Sequence, residues 1–391
     1  MKPLEGIRVL DLTRVLAGPY STMMMADYGA EVIKIEPPKV GDDSRAFGPY
    51  QGGESAYFMS LNRNKKSIEL NFKNPEHVEI FKQLIPQFDV VVENYRPGTM
   101  EKFGLGYDVL REIKPDLIYA ACSGFGDSGP YRLKPAYDVV IQAMGGVVSI
   151  TGPEGSSGYR IGASLGDIIA GMFTGYGIMM ALFHKQNTGE GQKIDVSMLD
   201  CQVAVLENAI ARYATSGEIP RPLGNRHPSI TPFSAFASAD GSVIIGAGND
   251  RLWNKLCEVL GRTDLLTDPR FLTNPDRTAH ASELGQIMDE ICKTKTTQEW
   301  VDLLEEAGVP VAPINTIDKV VNDPQITSRE MIVEVEHPTA GKLRMAGVPV
   351  KMSLTPGSVD APAPTLGQHT ADILQEYLGW DADAAAAFCQ E

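Results

Sequence analysis

Asp167, in Gly166-Asp167-Ile-Ile-Ala-Gly171, stands where a long apolar helix begins. Two readings fit that place. An aspartate at a helix start commonly caps it by accepting a backbone N–H. A helix N-terminus also favours the ionised form of a carboxylate, and flanking glycines let a bulky electrophile approach. An ionised, accessible Asp can then attack an activated acyl group. The local pattern leaves both open. A second group is cationic: Arg63, Lys65 and Lys66 cluster in one short stretch, and Lys34, Lys73, Arg96 and Lys102 lie near the ends of predicted strands. Ligands of open parallel sheets bind outside the carboxyl ends of the strands. Cations placed there suggest a phosphate-bearing ligand, against the competing reading of a solvated loop.

Other motifs carry less. Gly124-Phe-Gly126-Asp-Ser-Gly129 matches GxGxxG after a predicted strand, but Pro130-Tyr131-Arg132 follows instead of a long helix that could present its N-terminus to a pyrophosphate. No acidic residue closes a second strand at the spacing a dinucleotide site needs, and a tight loop is the better reading. Gly162-Ala-Ser164-Leu-Gly166 matches the G-x-S-x-G elbow, yet only the short Tyr159-Arg-Ile161 precedes it and no glycine-rich oxyanion loop is found. His227, in Gly224-Asn-Arg-His-Pro228, has no visible partner and reads as structural. The cysteines at 122, 201, 257, 292 and 389 form no C-x-x-C pair and offer no nucleophile with a recognisable base. They fit a reducing compartment, and no metal site is expected.

The elements that must position these groups alternate strand and helix at first. Strands are read at Gly6–Thr13, Glu31–Glu36, Ser67–Leu70, Asp89–Glu93 and Leu117–Cys122, with helices at Tyr20–Tyr28, from Pro75 to about Leu84, and near Tyr107–Ile113. That rhythm means βαβ units and a mostly parallel sheet. Long apolar periodicity then marks helices at Tyr137–Val148, Gly166–His184 and Ser197–Ser216, with a short strand at Lys193–Val196. Prolines mark 217–232 as a linker. A hairpin around Asp240-Gly241 and helices at Arg251–Leu260, Ala281–Thr294 and Thr297–Ala307 make a second unit. A stretch from Pro310 to Pro313 leads to a hairpin at Ile332–Met352 and a helical tail at Thr365–Tyr377. The expected organisation is a large α/β domain over 1–216, completed by a return over 330–391, and a small α+β domain over 233–325.

With 391 residues, 43% apolar and 22% charged, the chain is an ordinary globular protein of two or three domains. A formal net charge of −15 argues against general affinity for nucleic acid or an anionic membrane surface. The apolar stretch Ile168 to Phe183 falls short of the roughly 20 residues of a membrane span. No run at the N-terminus reads as a secretion signal, so a cytoplasmic location is expected.

The chain as a whole resembles the class III CoA-transferases, which include formyl-CoA transferase and carnitine CoA-transferase and are related to α-methylacyl-CoA racemase. The likeness runs through Pro3-Leu-Glu-Gly-Ile-Arg-Val-Leu-Asp-Leu-Thr13, Ala17-Gly-Pro19, Gly29-Ala-Glu-Val-Ile-Lys-Ile-Glu36, Asn62-Arg-Asn-Lys-Lys-Ser67, Val92-Glu-Asn-Tyr-Arg-Pro-Gly98, Ala136-Tyr-Asp138, Gly166-Asp167 and Leu366-Gly-Gln-His-Thr370. The resemblance implies a Rossmann-like large domain, a smaller domain joined by two linkers, and an interlocked homodimer. It implies that Asp167 attacks an acyl-CoA thioester. It also implies that CoA is bound by Val15, Leu16, Leu70, Asn71, Phe72, Lys73, Asn94, Tyr95, Arg96, Lys102, Lys134, Ala136 and Tyr137.

No cofactor is expected to stay bound, because the CoA thioester is itself the substrate; the second partner is a free carboxylic acid, with a short dicarboxylate favoured. The racemases place a His in the segment that here reads Pro135-Ala-Tyr-Asp138. Tyr137, a phenol of ordinary pKa near ~10, is poorly matched to shuttling an α-proton, which favours transfer over racemisation. Leu16 stands where formyl-CoA transferase has Gln. Pro37 stands where it has Arg, and its run of four glycines has no counterpart. These departures point away from the formyl/oxalate pair.

Overall fold

The structure, a computed structural model, describes residues 1–390. Six strands follow the expected apolar runs: β1 (Arg8–Asp11), β2 (Glu31–Glu36), β3 (Lys65–Glu69), β4 (Val90–Glu93), β5 (Ile118–Ser123) and β6 (Lys193–Ser197). They form one sheet in the order β3-β2-β1-β4-β5-β6. Every pairing is parallel, with Leu10 opposite Ile33 on one side and Val91 on the other. The side-chain period of two sends alternate residues to opposite faces, and both faces are covered. Leu10, Ile33, Ile68, Val91 and Tyr119 pack into one core with Phe81, Leu84 and Leu374. Val9, Val32, Val90, Ile118 and Ala120 pack into another with Ile178 and Ala181. Each fully buried Val, Leu, Ile or Phe among them contributes roughly 1.5–3 kcal/mol. The fold class is therefore α/β around a parallel sheet, as the alternation of elements implied. The short strand expected at Lys193–Val196 pairs with β5 and widens the sheet.

The covering helices are α1 (Ala17–Asp27), α2 (Ala56–Leu61), α3 (Pro75–Leu84), α4 (Thr99–Lys102), α5 (Tyr107–Ile113), α6 (Asp138–Met144), α7 (Leu165–Thr188), α8 (Met198–Ala204) and α9 (Asn208–Ser216). Asn74 caps α3 by accepting the N–H of Glu76, with Pro75 at the first helical position. Two long helical readings are broken. The run 137–148 stops at Met144, where Gly146 takes φ +88°, and 197–216 is interrupted at Glu207, with φ +52°. Ser197 caps α8 through the N–H of Asp200, as its sequence suggested.

The chain divides into two units. The first holds Met1–Val147, Ile161–Ala214 and the residues from Pro324 onward. In it the antiparallel hairpin β10–β11 (Ile332–His337 and Gly341–Ala346) packs Leu343 and Met345 with Phe58 and Met59 of α2. The second holds Val148–Arg160 and Thr215–Asp323. Its antiparallel sheet orders β9 (Val311–Pro313), β8 (Ser242–Gly246) and β7 (Phe233–Ala237), over a core of Trp253, Leu256, Trp300 and Leu304. Residues 148–160, expected in the large domain, and 217–232, expected as a linker, both fall in this second unit.

Candidate active site

Because the sheet is parallel, the segments after β1, β3, β4 and β5 all leave from one edge. β1 continues to β2 and β3 on one side, while β4, β5 and β6 lie on the other. The strand order reverses between β1 and β4, the place where open α/β sheets form a crevice. Val15 and Leu16 follow β1, and Asn94, Tyr95 and Arg96 follow β4. The two segments are tied together. Arg14 donates its N–H to Asn94 Oδ1 at 2.8 Å, and Asn94 Nδ2 donates to the Arg14 carbonyl at 2.8 Å.

Asp167 reaches the same edge through helix packing. A Cβ on Gly171 would lie 2.5 Å from the Ala17 carbonyl oxygen and 3.1 Å from Tyr20 Cβ, and one on Gly175 would meet Met24 Cε at 2.9 Å. Residue numbers rise together along this contact, so α1 and α7 run in the same direction. Asp167 lies one turn before Gly171 on the same face of α7, level with the Val15–Leu16 segment.

The carboxylate is not a cap. Ser164 occupies the N-cap position, Asp167 falls in the first turn, and no described residue donates a hydrogen bond to its side chain. The expected ionisation is also corrected. Burial, with the neighbouring Asp138 carboxylate adding to it, pushes the Asp167 pKa up to about 7. Asp138 is itself held at the start of α6. It accepts the Gly166 N–H at 2.8 Å and Gln142 Nε2 at 2.8 Å, which ties α6 to the first turn of α7.

Four of the proposed cations are corrected. Lys34 is fully buried and paired with Asp42 at 2.8 Å, Lys65 with Asp11 at 2.9 Å, and Arg63 with Asp27 at 2.7 Å. Lys66 pairs with Glu31. These side chains hold the fold, and none is spare for a phosphate. Lys73, Arg96, Lys102 and Lys134 are exposed, and none has a carboxylate partner among the described residues; Lys134 lies over the Tyr131 ring at 3.7 Å. They follow β3, β4 and β5 in a strongly acidic chain, where free cations are the natural partners of an anionic ligand.

The remaining proposed contacts divide into surface and core. Leu70 is buried, and Phe72 packs against the rings of Phe81 and Phe103. Asn71 is exposed and shapes its turn by accepting the Lys73 N–H. Tyr95 packs against the sheet core, and its N–H donates to Glu93 Oε2 at 2.6 Å. Burial pushes Glu93 up to about 8, so its carboxyl is largely neutral at pH 7 and adds little repulsion beneath this edge. Ala136 packs onto Gly124, and Tyr137 is 75% exposed at the start of α6.

Sequence reading missed Tyr57 on α2. Its phenol is pushed up to about 12, by burial first and then by the charges of Asp167, Asp42 and Asp138. It is a protonated donor in the field of the candidate nucleophile, and an aromatic in a short apolar helix carries no sequence signal of that role. The GxGxxG and G-x-S-x-G matches lack the elements those motifs need. No helix opens at Gly129, and no strand precedes Ser164. His227 accepts the Ser229 N–H and packs edge-on to Phe233. Burial raises Cys122, Cys257 and Cys292 to about 12. Among the described residues, no group of three His, Cys, Asp or Glu side chains could hold a metal.

The parallel sheet, with Asp167 beside Asp138 near the switch-point edge and exposed, unpaired cations following β3, β4 and β5, makes this an α/β protein with a candidate site for an anionic ligand. The model for CoA-transferase family III matches residues 4–370, and the chain belongs to that family: it is a CoA-transferase. It is 42% identical to the succinyl-CoA:glutarate CoA-transferase of Homo sapiens, over 97% of this chain and 87% of that protein. It is 41% identical to the acetyl-CoA:oxalate CoA-transferase of Acetobacter aceti, over 97% of both. The crystal structure of a CAIB/BAIF family protein from Brucella suis superposes with a TM-score of 0.86 at 37% identity, covering 96% of this chain and 99% of that one.

Proposed function

We propose that this enzyme moves CoA between short dicarboxylic acids, using Asp167 as a covalent nucleophile. The observation that carries the reading is a half-buried carboxylate with no described hydrogen-bond donor, level with the loop at the switch point. Relatives named for succinyl, glutarate and oxalate substrates support the dicarboxylate class.

The Asp167 carboxylate attacks the thioester carbonyl, forming an acyl–aspartyl anhydride and releasing CoA thiolate. The thiolate attacks the aspartyl carbonyl, giving an aspartyl-CoA thioester and the free donor acid. The acceptor carboxylate displaces the thiolate to form a second anhydride. The thiolate then takes the acceptor acyl group and restores Asp167. Each step exchanges one acyl bond for another, so the thioester energy is kept without ATP, provided water stays out. Lys73, Arg96, Lys102 and Lys134 are the candidates for the CoA phosphates, with Val15, Leu16, Asn94 and Tyr95 at the crevice. Tyr57 offers its phenolic proton to the acid. The working form is an interlocked homodimer in the cytoplasm.

The test is Asp167→Asn with succinyl-CoA and glutarate. CoA binding and folding are expected to persist while transfer falls by several orders of magnitude, about the loss seen when a catalytic nucleophile is removed. Hydroxylamine added with succinyl-CoA should leave a hydroxamate on the peptide that contains Asp167. An active Asp167→Asn enzyme, or a label on another peptide, defeats the reading.

A further inference from the structure

Val15 has φ +65°, in the left-handed region that a β-branched side chain seldom enters. Such a conformation persists only where its surroundings over-determine it. Here the Val15 N–H donates to both carboxylate oxygens of Asp42, at 3.0 and 3.3 Å. Asp42 is in turn fixed from three sides. Lys34 Nζ lies 2.8 Å from its Oδ2, while the Ser44 N–H and hydroxyl donate to Oδ1 at 2.9 and 2.8 Å. The Asp42 N–H donates to Glu36 Oε2 at 3.0 Å. Lys34 also donates to the Thr13 carbonyl at 2.7 Å, so one ammonium grips both the strand end and the loop anchor. Both charges are buried, with side-chain exposures of 0% for Lys34 and 1% for Asp42. A charge pair this dry is strongly oriented.

Leu16, the next residue, is the N-cap of α1, and Ala17 touches α7 one turn beyond Asp167. The backbone at Val15 therefore sets the direction in which α1 starts and the height of Leu16 beside Asp167. We propose that Asp42, held by Lys34, is a positioning residue for the transfer reaction: it keeps Val15 left-handed and so fixes Leu16 and the first turn of α1 against Asp167. The proposal rests on the reading of Asp167 as the nucleophile. Asp42 touches no substrate in this scheme; it acts through Val15.

The measurement is transfer from succinyl-CoA to glutarate by Asp42→Asn, with and without Val15→Gly. Loss of the anchor should lower kcat about 100-fold, the scale of a small misplacement of a reacting group. The KM for succinyl-CoA should rise far less than kcat falls, since only the Val15–Leu16 side of the crevice moves and the exposed cations proposed for the CoA phosphates are untouched. Glycine adopts a left-handed φ without steric cost, so adding Val15→Gly should return at least about tenfold of the lost kcat. If Asp42→Asn does not fold, Lys34→Met/Asp42→Leu removes the pair without stranding a charge and carries the same comparison. In the wild-type enzyme the Val15 amide should exchange with deuterium as slowly as the amides of β1. Unchanged kcat, no recovery on adding Val15→Gly, or fast exchange at Val15 overturns the proposal. If Asp167→Asn is inactive while Val15→Gly restores nothing, only the positioning role fails. If Asp167→Asn is active, the nucleophile reading itself fails.

Discussion

At neutral pH the Asp167 carboxyl is divided between its two forms, because burial and Asp138 place its pKa at about 7. Only the ionised form attacks a thioester, so kcat/KM should rise between pH 6 and 8 along a limb with a midpoint near 7. A limb near the ordinary carboxylate value of 3.8 would contradict this. The same shift bears on stability. The folded state holds the Asp167 proton more tightly than the unfolded chain does, so unfolding releases it between pH 4 and 7. Stability is then fully present at low pH and is lost as pH rises through 7. Asp167→Asn removes the ionising group, and its Tm should exceed that of the wild type by a few degrees at pH 8. The two should converge below pH 4, and thermal unfolding at three pH values checks the sign.

The position of Asp167 was legible in the sequence, as a polar residue at the mouth of an apolar helix. Its protonation was not, because Asp138 and the burying side chains come from other elements. Lys34, Lys65 and Arg63 were misread for the same reason. The carboxylates of Asp42, Asp11 and Asp27 that neutralise them lie elsewhere in the sequence, and only the fold brings them together.

Among the elements, the contact of α1 with α7 does the positioning, and it depends on the absence of a side chain at Gly171. A Cβ there would come within 2.5 Å of the Ala17 carbonyl oxygen, a backbone atom that cannot rotate away. Gly171→Ala should therefore push the helices apart at the level of the site. Overpacking of this kind costs about 1–3 kcal/mol, and kcat should fall more than binding of CoA. An Ala variant with wild-type kcat and Tm would show that the helices have room. Strands and helices of the sheet were readable because buried parallel strands are continuous apolar runs and their helices keep a 3.6-residue period. The readings failed where periodicity continued across a break. The φ values of Gly146 and Glu207 stop helices that the apolar pattern would extend.

For the whole molecule, α7 poses the question of association. Met172, Phe173, Tyr176, Met180 and Phe183 are 39–68% exposed and fall along one side of the helix. With 24 residues, this helix is also long and apolar enough to cross a membrane by length and composition. A row of large apolar side chains facing water marks an interaction surface. The proposed dimer would cover it with a second copy of the chain, and the net charge of −15 opposes an anionic lipid surface. Light scattering at micromolar concentration should give twice 42.4 kDa with no monomer. Interlocking makes a sharper demand, because threaded chains cannot part while folded. Tagged and untagged enzyme mixed in native buffer should form no mixed dimers over days, yet should form them after unfolding in guanidinium and refolding. Mixed dimers appearing within hours would leave a dimer that is not interlocked. A monomer in solution, or a chain that floats with neutral lipid vesicles, would remove the dimer as the occupant of this face.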